Sequence, residues 1–99
     1  MGYELRVSID TLRKVTEVLL NHLEQKQGPS VSLHEDYFWS IPPDTLYDVT
    51  REPNPLTIGQ LSESFENIES IASDPEAAIS FGLVWLADVL RAVGHQEDL

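Results

Sequence analysis

A mainly α chain, three amphipathic helices around one small core, is the fold class this sequence predicts; an α+β arrangement with a small sheet is the alternative. Three observations carry the prediction. Apolar residues recur at intervals of three and four over about residues 9–27, 58–73 and 75–93. Capping residues stand near the ends of those stretches. Five of the six prolines fall within residues 28–56, which makes that third of the chain a long irregular loop with room for short strands.

The elements follow in order. Tyr3-Glu4-Leu5-Arg6-Val7 alternates apolar and polar residues, the pattern of a short strand. Ser8 caps the first helix, about 9–27. Leu12, Val15, Leu19 and Leu23 form its stripe, with Thr16 and Leu20 flanking. Asp10 and Lys14 stand four apart with the acid N-terminal, the favourable order. Gly28-Pro29 ends the helix, because glycine accepts a left-handed cap and proline cannot continue.

In the loop, Val31 and Leu33 alternate with polar residues as a second short strand, which in the α+β alternative pairs with residues 3–7. Asp36-Tyr37-Phe38-Trp39 is a dense aromatic cluster. A loop of this length is packed by its own side chains or has a binding task. Aromatic rings supply the packing, at ~150–250 Å² of buried area each.

Thr57-Ile58-Gly59-Gln60 fits a capping box for the second helix, about 58–73. Its stripe is Ile58, Leu61, Phe65, Ile68 and Ala72, and Gly59 costs it roughly 1 kcal/mol relative to Ala. A variant makes residues 56–58 a strand and Ser62 the true cap. Asp74-Pro75-Glu76 reads as N-cap, N1 proline and first-turn acid for the third helix, about 75–93. Gly94 closes that helix, Arg91 sits near the negative end of its dipole, and residues 95–99 fray.

The third helix is apolar on two sides. Ile79, Leu83, Leu86, Leu90 and Val93 form one face, expected to receive the other two helices. Ala77, Phe81, Val84 and Trp85 form nearly the opposite face, interrupted by Asp88. Either the Asp36–Trp39 segment covers this second face or a second copy does. The expectation is a homodimer through Tyr37, Phe38, Trp39, Phe81, Val84 and Trp85. The same aromatics, with Tyr47, read less well as a stacking platform for bases, since residues 27–50 hold no Lys or Arg to meet phosphates. In the packing role, Asp36 and Asp44 become rim residues.

Length and charge narrow the function. Ninety-nine residues, 41% of them hydrophobic, make a single domain over 1–99 with a modest core. The net charge is −11 and it is uneven: residues 1–26 balance, whereas residues 27–99 carry two bases against thirteen acids. Such a chain lacks the basic patch that nucleic-acid binding requires. No apolar run approaches the roughly 18 residues that span a membrane. The chain has no cysteine, which excludes disulfides and thiolate metal sites and points to a reducing compartment. No signal-peptide pattern stands at the N-terminus, so a cytoplasmic protein is expected.

Chemical motifs are sparse. His34-Glu35-Asp36 sets three metal-ligating types side by side, and His22 and His95 add two imidazoles, but no HExxH-type spacing joins them. No GxSxG, P-loop or GxGxxG occurs, and no serine stands at a recognisable spacing from a histidine. Neither catalytic residues nor a cofactor or metal are expected.

Asp36-Tyr37-Phe38-Trp39, Leu56-Thr57-Ile58-Gly59-Gln60-Leu61-Ser62 and the terminal Leu90-Arg91-Ala92-Val93-Gly94 together resemble a group of short acidic uncharacterised bacterial proteins. The resemblance runs over roughly residues 8–95 and implies a bacterial source, a cytoplasmic setting and a small free-standing protein. It brings no known activity with it.

The function that fits these residues is non-catalytic protein binding, as an inhibitor or immunity-type partner of a basic protein. Glu52, Glu63, Glu66, Glu69, Asp74 and Glu76 are the candidate partner-binding residues, because residues 52–90 hold seven acids and no Lys or Arg. A plain solvated helix face is the competing explanation of those acids. A small homo-oligomeric structural or regulatory protein without ligand is the second reading, and a small enzyme or ligand binder the third.

Overall fold

The computed structural model of the chain describes residues 4–74, 76 and 78–97. These divide into two compact units, residues 1–32 and 33–99.

The first unit contains α1 (Ile9–Gln27), with the bounds its local signals predict. Ser8 is extended and its Oγ accepts from the Thr11 N–H at 3.1 Å. Lys14 Nζ lies 3.0 Å from Asp10 Oδ2. Gly28, at φ 84°, donates its N–H to the Glu24 carbonyl at 2.8 Å and ends the helix. No residue of α1 is buried. Residues 4–8 form no strand, and Tyr3 lies outside the described residues.

The second unit holds β1 (Tyr37–Ser40), α2 (Pro43–Leu46), β2 (Thr57–Gln60), α3 (Leu61–Ala72) and α4 (Ile79–Glu97). The chain is thus mainly helical, with four helices among the described residues and a two-stranded antiparallel sheet. The register pairs Tyr37 with Gln60, Phe38 with Gly59, Trp39 with Ile58 and Ser40 with Thr57. The small sheet of the α+β alternative is present, but it forms from other residues than 3–7 and 31–33. Tyr37, Phe38, Trp39, Thr57 and Ile58 are strong strand formers, and Trp39 and Ile58 face each other as a cross-strand pair.

That pairing overrides the capping box at Thr57. The Thr57 hydroxyl donates across the sheet to the Ser40 carbonyl at 3.2 Å, and the helix begins three residues later than the residue pattern predicts. The Phe38 ring lies across Gly59: a Cβ there would clash with the ring's Cζ and stand 2.7 Å from Cε1 and Cε2. The residue that would weaken a helix is here the floor under an aromatic ring.

The loop after β1 is organised rather than featureless. Pro43 occupies the first turn of α2, and buried Thr45 donates its hydroxyl to the Pro42 carbonyl at 3.1 Å. Asp48 accepts from the Thr50 N–H at 3.1 Å, the Thr50 hydroxyl at 2.5 Å and Arg51 Nε at 2.8 Å. These bonds hold its carboxyl below the usual range, that of Thr50 Oγ1 first.

α3 and α4 pack against each other, with Gly82 allowing close approach: a Cβ there would stand 2.8 Å from Ile71 Cδ1. The last helix starts at Ile79, later than the Asp74-Pro75-Glu76 signal predicts. Asp74 Oδ1 accepts from the Glu76 N–H at 3.1 Å, so its carboxylate completes a local turn instead of the helix cap. Pro75 and Ala77 lie outside the described residues. α4 also runs through Gly94 to Glu97, past the expected end.

Among the described residues, Leu61 and Val89 are the buried apolar ones. Ile79 and Leu83 remain 77% and 62% exposed, so α4 turns a different edge inward than its periodicity suggests. Gly82, Trp85, Val89 and Ala92 are buried or half-buried, the edge that Gly82 lets approach α3.

Candidate functional site

Asp36 joins the two motifs that stood apart in the sequence. Its Oδ1 accepts from the Ser62 N–H at 2.8 Å. Its Oδ2 accepts from Gln60 Nε2 at 2.8 Å and from the Ser62 hydroxyl at 3.1 Å, while its carbonyl takes the Leu61 N–H at 2.6 Å. Gln60, the residue at the cap position of α3, makes no side-chain cap bond, so a carboxylate 26 residues away from Ser62 caps the helix. The Gln60 and Ser62 bonds hold the Asp36 carboxyl below its ordinary range. Asp36 is therefore a joint of the fold, not the rim residue expected. Asp44 is exposed, and its carbonyl takes a 3.3 Å bond from Arg51 Nη2.

Two concave surfaces lie in the same unit. One is a groove of about 530 Å³ between α3 and α4. Phe65, Ile68 and Ile71 wall one side and Ile79, Leu83 and Leu86 the other, with Glu69 at the edge. Its lining is otherwise apolar. The face expected to lie under two helices is thus the wall of an open groove.

The other is a cleft of about 440 Å³ between the segment 33–39 and α4, floored by Leu61. Its aromatic wall is Tyr37, Phe38 and Trp39; its polar groups are His34, Glu35, Asp88, Arg91, His95 and Gln96. The His34 N–H is held by Gln96 Oε1 at 3.2 Å, which ties the segment to the end of α4. Burial pushes the Asp88 carboxyl up, and the Arg91 charge partly opposes it. The volume lies in the range of small-ligand sites, and the polar groups are of both signs. Asp88, Arg91 and His95 were not singled out together by sequence reasoning; the one signal was the interruption of an apolar face by Asp88.

The acidic candidates separate into a row and a turn. Glu63, Glu66 and Glu69 are exposed and step along α3 at intervals of three. Asp74 and Glu76 are exposed in the α3–α4 connection, and Glu52 is exposed in the loop before β2. Of the self-association candidates, Phe81 and Trp85 stack with ring centroids 5.8 Å apart. Tyr37, Trp39, Phe81 and Val84 are exposed, Trp85 is half-buried, and Phe38 is committed to Gly59. The structure gathers Tyr37, Phe38 and Trp39 in the cleft, whereas Phe81, Val84 and Trp85 line neither it nor the groove.

Among the described residues, no group of three His, Asp or Glu side chains is arranged to hold a metal ion. No described helix is long and apolar enough to cross a membrane. No family model, curated protein or solved structure matches this chain.

Proposed function

We propose that this chain is a non-catalytic protein-binding module that takes a basic amphipathic segment of a partner protein into the α3–α4 groove. The observation that carries the reading is the groove itself: an apolar trough with an edge formed by Glu69, on a helix whose exposed Glu row adds Glu63 and Glu66. An apolar helix face would fill the trough, and Lys or Arg flanking that face would meet the Glu row. The charge of residues 27–99 favours encounter with such a partner and opposes nucleic acid. A partner of this kind fits an inhibitor or immunity-type role in the cytoplasm of a bacterium.

The test uses a synthetic amphipathic Leu/Lys helix as probe. Binding is expected to weaken as salt rises to physiological strength, where screening shortens to ~8 Å. Glu63→Lys, Glu66→Lys and Glu69→Lys together should slow association while circular dichroism stays unchanged, because all three side chains face solvent. Leu83→Glu should abolish binding at any salt. Binding indifferent to salt, to the triple reversal and to Leu83→Glu would remove the groove as the site.

A further inference from the structure

We propose that α1 pairs antiparallel with α1 of a second copy, a surface separate from the partner groove. Among the described residues of the first unit, α1 is the one helix or strand, and none of its residues is buried. Helices in proteins draw most of their stability from packing of an amphipathic face, so the apolar face of α1 needs a cover. Ile9, Leu12, Thr16, Leu19 and Leu23 follow a strict three-four-three-four spacing, the seam of a coiled coil, and Val15 and Leu20 widen it.

Charge selects the occupant. Residues 27–99 hold two bases against thirteen acids, so two copies repel wherever those surfaces meet. α1 carries Arg13, Lys14 and Lys26 against Asp10, Glu17 and Glu24, and is neutral. It is the apolar surface on which copies approach without that penalty. Charge also selects the direction. Arg13 and Glu24 lie on the same flank of the seam, eleven residues apart. In an antiparallel two-fold pair this flank faces itself. Layering Leu12 on Leu23 and Thr16 on Leu19 of the other copy then brings each Arg13 within reach of the opposing Glu24. A parallel pair would set that flank against Thr11, Val15, His22 and Lys26, which hold no acid to meet Arg13.

The area is that of a reversible dimer. Covering Ile9, Leu12, Val15, Leu19, Leu20 and Leu23 removes roughly 400–700 Å² per helix from water, against about 800 Å² per partner in a standard interface. Association is expected in the micromolar range.

The experiment measures the mass of the full chain by sedimentation and light scattering between about 1 and 100 μM. A shift from monomer to dimer is expected, abolished by Leu12→Glu with Leu19→Glu. Arg13→Glu alone and Glu24→Arg alone should each raise the dissociation constant roughly 3–10-fold, and the two together should restore it. Within one helix these residues stand about 16 Å apart, so the rescue has to come from the other copy. Because the double swap keeps every apolar residue, it tests the pairing even if the Leu→Glu variants lose α1. A monomer at 100 μM (about −5 kcal/mol of association or weaker), a dimer that survives Leu12→Glu and Leu19→Glu, or charge changes that add rather than cancel would each overturn the proposal. None of these outcomes depends on the basic probe, so the two proposals stand or fall separately.

Discussion

A methyl group at position 59 has nowhere to go. Its place is taken by the Phe38 ring, which the opposite strand lays over the glycine backbone. Gly59→Ala is therefore expected to destabilise the second unit by about 1–3 kcal/mol, the usual cost of overpacking. In a helix the same change would have stabilised by about 1 kcal/mol, so the sign of the change in thermal midpoint tells strand from helix at this residue. Asp36 and Asp88 set a second contrast. The Asp36 carboxyl is lowered by its bonds to Gln60 and Ser62, so it contributes stability above the ordinary carboxylate pKa of ~3.9 and loses it as pH falls through the lowered value. The Asp88 carboxyl is raised by burial, so its contribution is present below ~3.9 and lost as pH rises through the raised value. Denaturant melts in the acid range should show Asp36→Asn flattening the loss of stability on acidification. Asp88→Asn should steepen it, and should stabilise the unit near neutral pH.

At the scale of elements, what was legible was what is local. Ser8, Asp10, Lys14 and Gly28 set the ends and register of α1 through contacts no more than four residues apart, and the helix has the bounds their spacing implies. β1 and β2 depend on partners 17–23 residues away, and nothing near Thr57 announces that its hydroxyl will serve Ser40 instead of a helix end. The Asp36 cap was hidden for the same reason, although the residue pattern offers Ser62 as one of two helix starts. The cleft was less legible still, since His34 and His95 come to line one cleft only when the chain has closed. The inward edge of α4 is not legible in its periodicity, because a helix apolar on two sides has no preferred rotation of its own. Gly82 selects it, by letting α3 come close. Val89→Ala should accordingly cost about 2 kcal/mol, and Leu83→Ala less than about 1 kcal/mol in the free protein. A larger cost at Leu83, appearing as protein concentration rises, would mean that the groove is filled by another copy of the chain.

The whole molecule combines a strong negative charge with much apolar surface. Ile9, Val18, Leu19, Trp39, Ile58, Ile79, Phe81 and Leu83 are all exposed. At neutral pH the charge keeps such copies apart except where α1 offers a neutral face. Approaching the isoelectric point near 4.3, that protection disappears. Scattering at fixed concentration should rise steeply as pH is lowered toward that value, and should do so earlier in high salt. Gradual growth from dimer to larger species would trace the exposed apolar residues of α4, because the α1 seam is closed after one pairing.

The strand pair also defines where the chain tolerates interruption. Between Ser40 and Thr57 the backbone leaves the sheet and returns to the residue opposite, so both ends of this excursion are already held by the ladder and by the Asp36 joint just outside it. Closing a longer loop costs only about 0.6 kcal/mol for each doubling of its length. The turn around Asp48 occupies the middle of the excursion and is best left whole. After Glu52 the chain is exposed and precedes the strand by several residues. A flexible tag or a small reporter domain spliced there is expected to leave α3, α4 and both concave surfaces intact, making position 52 the natural attachment point for immobilising the protein with its groove free.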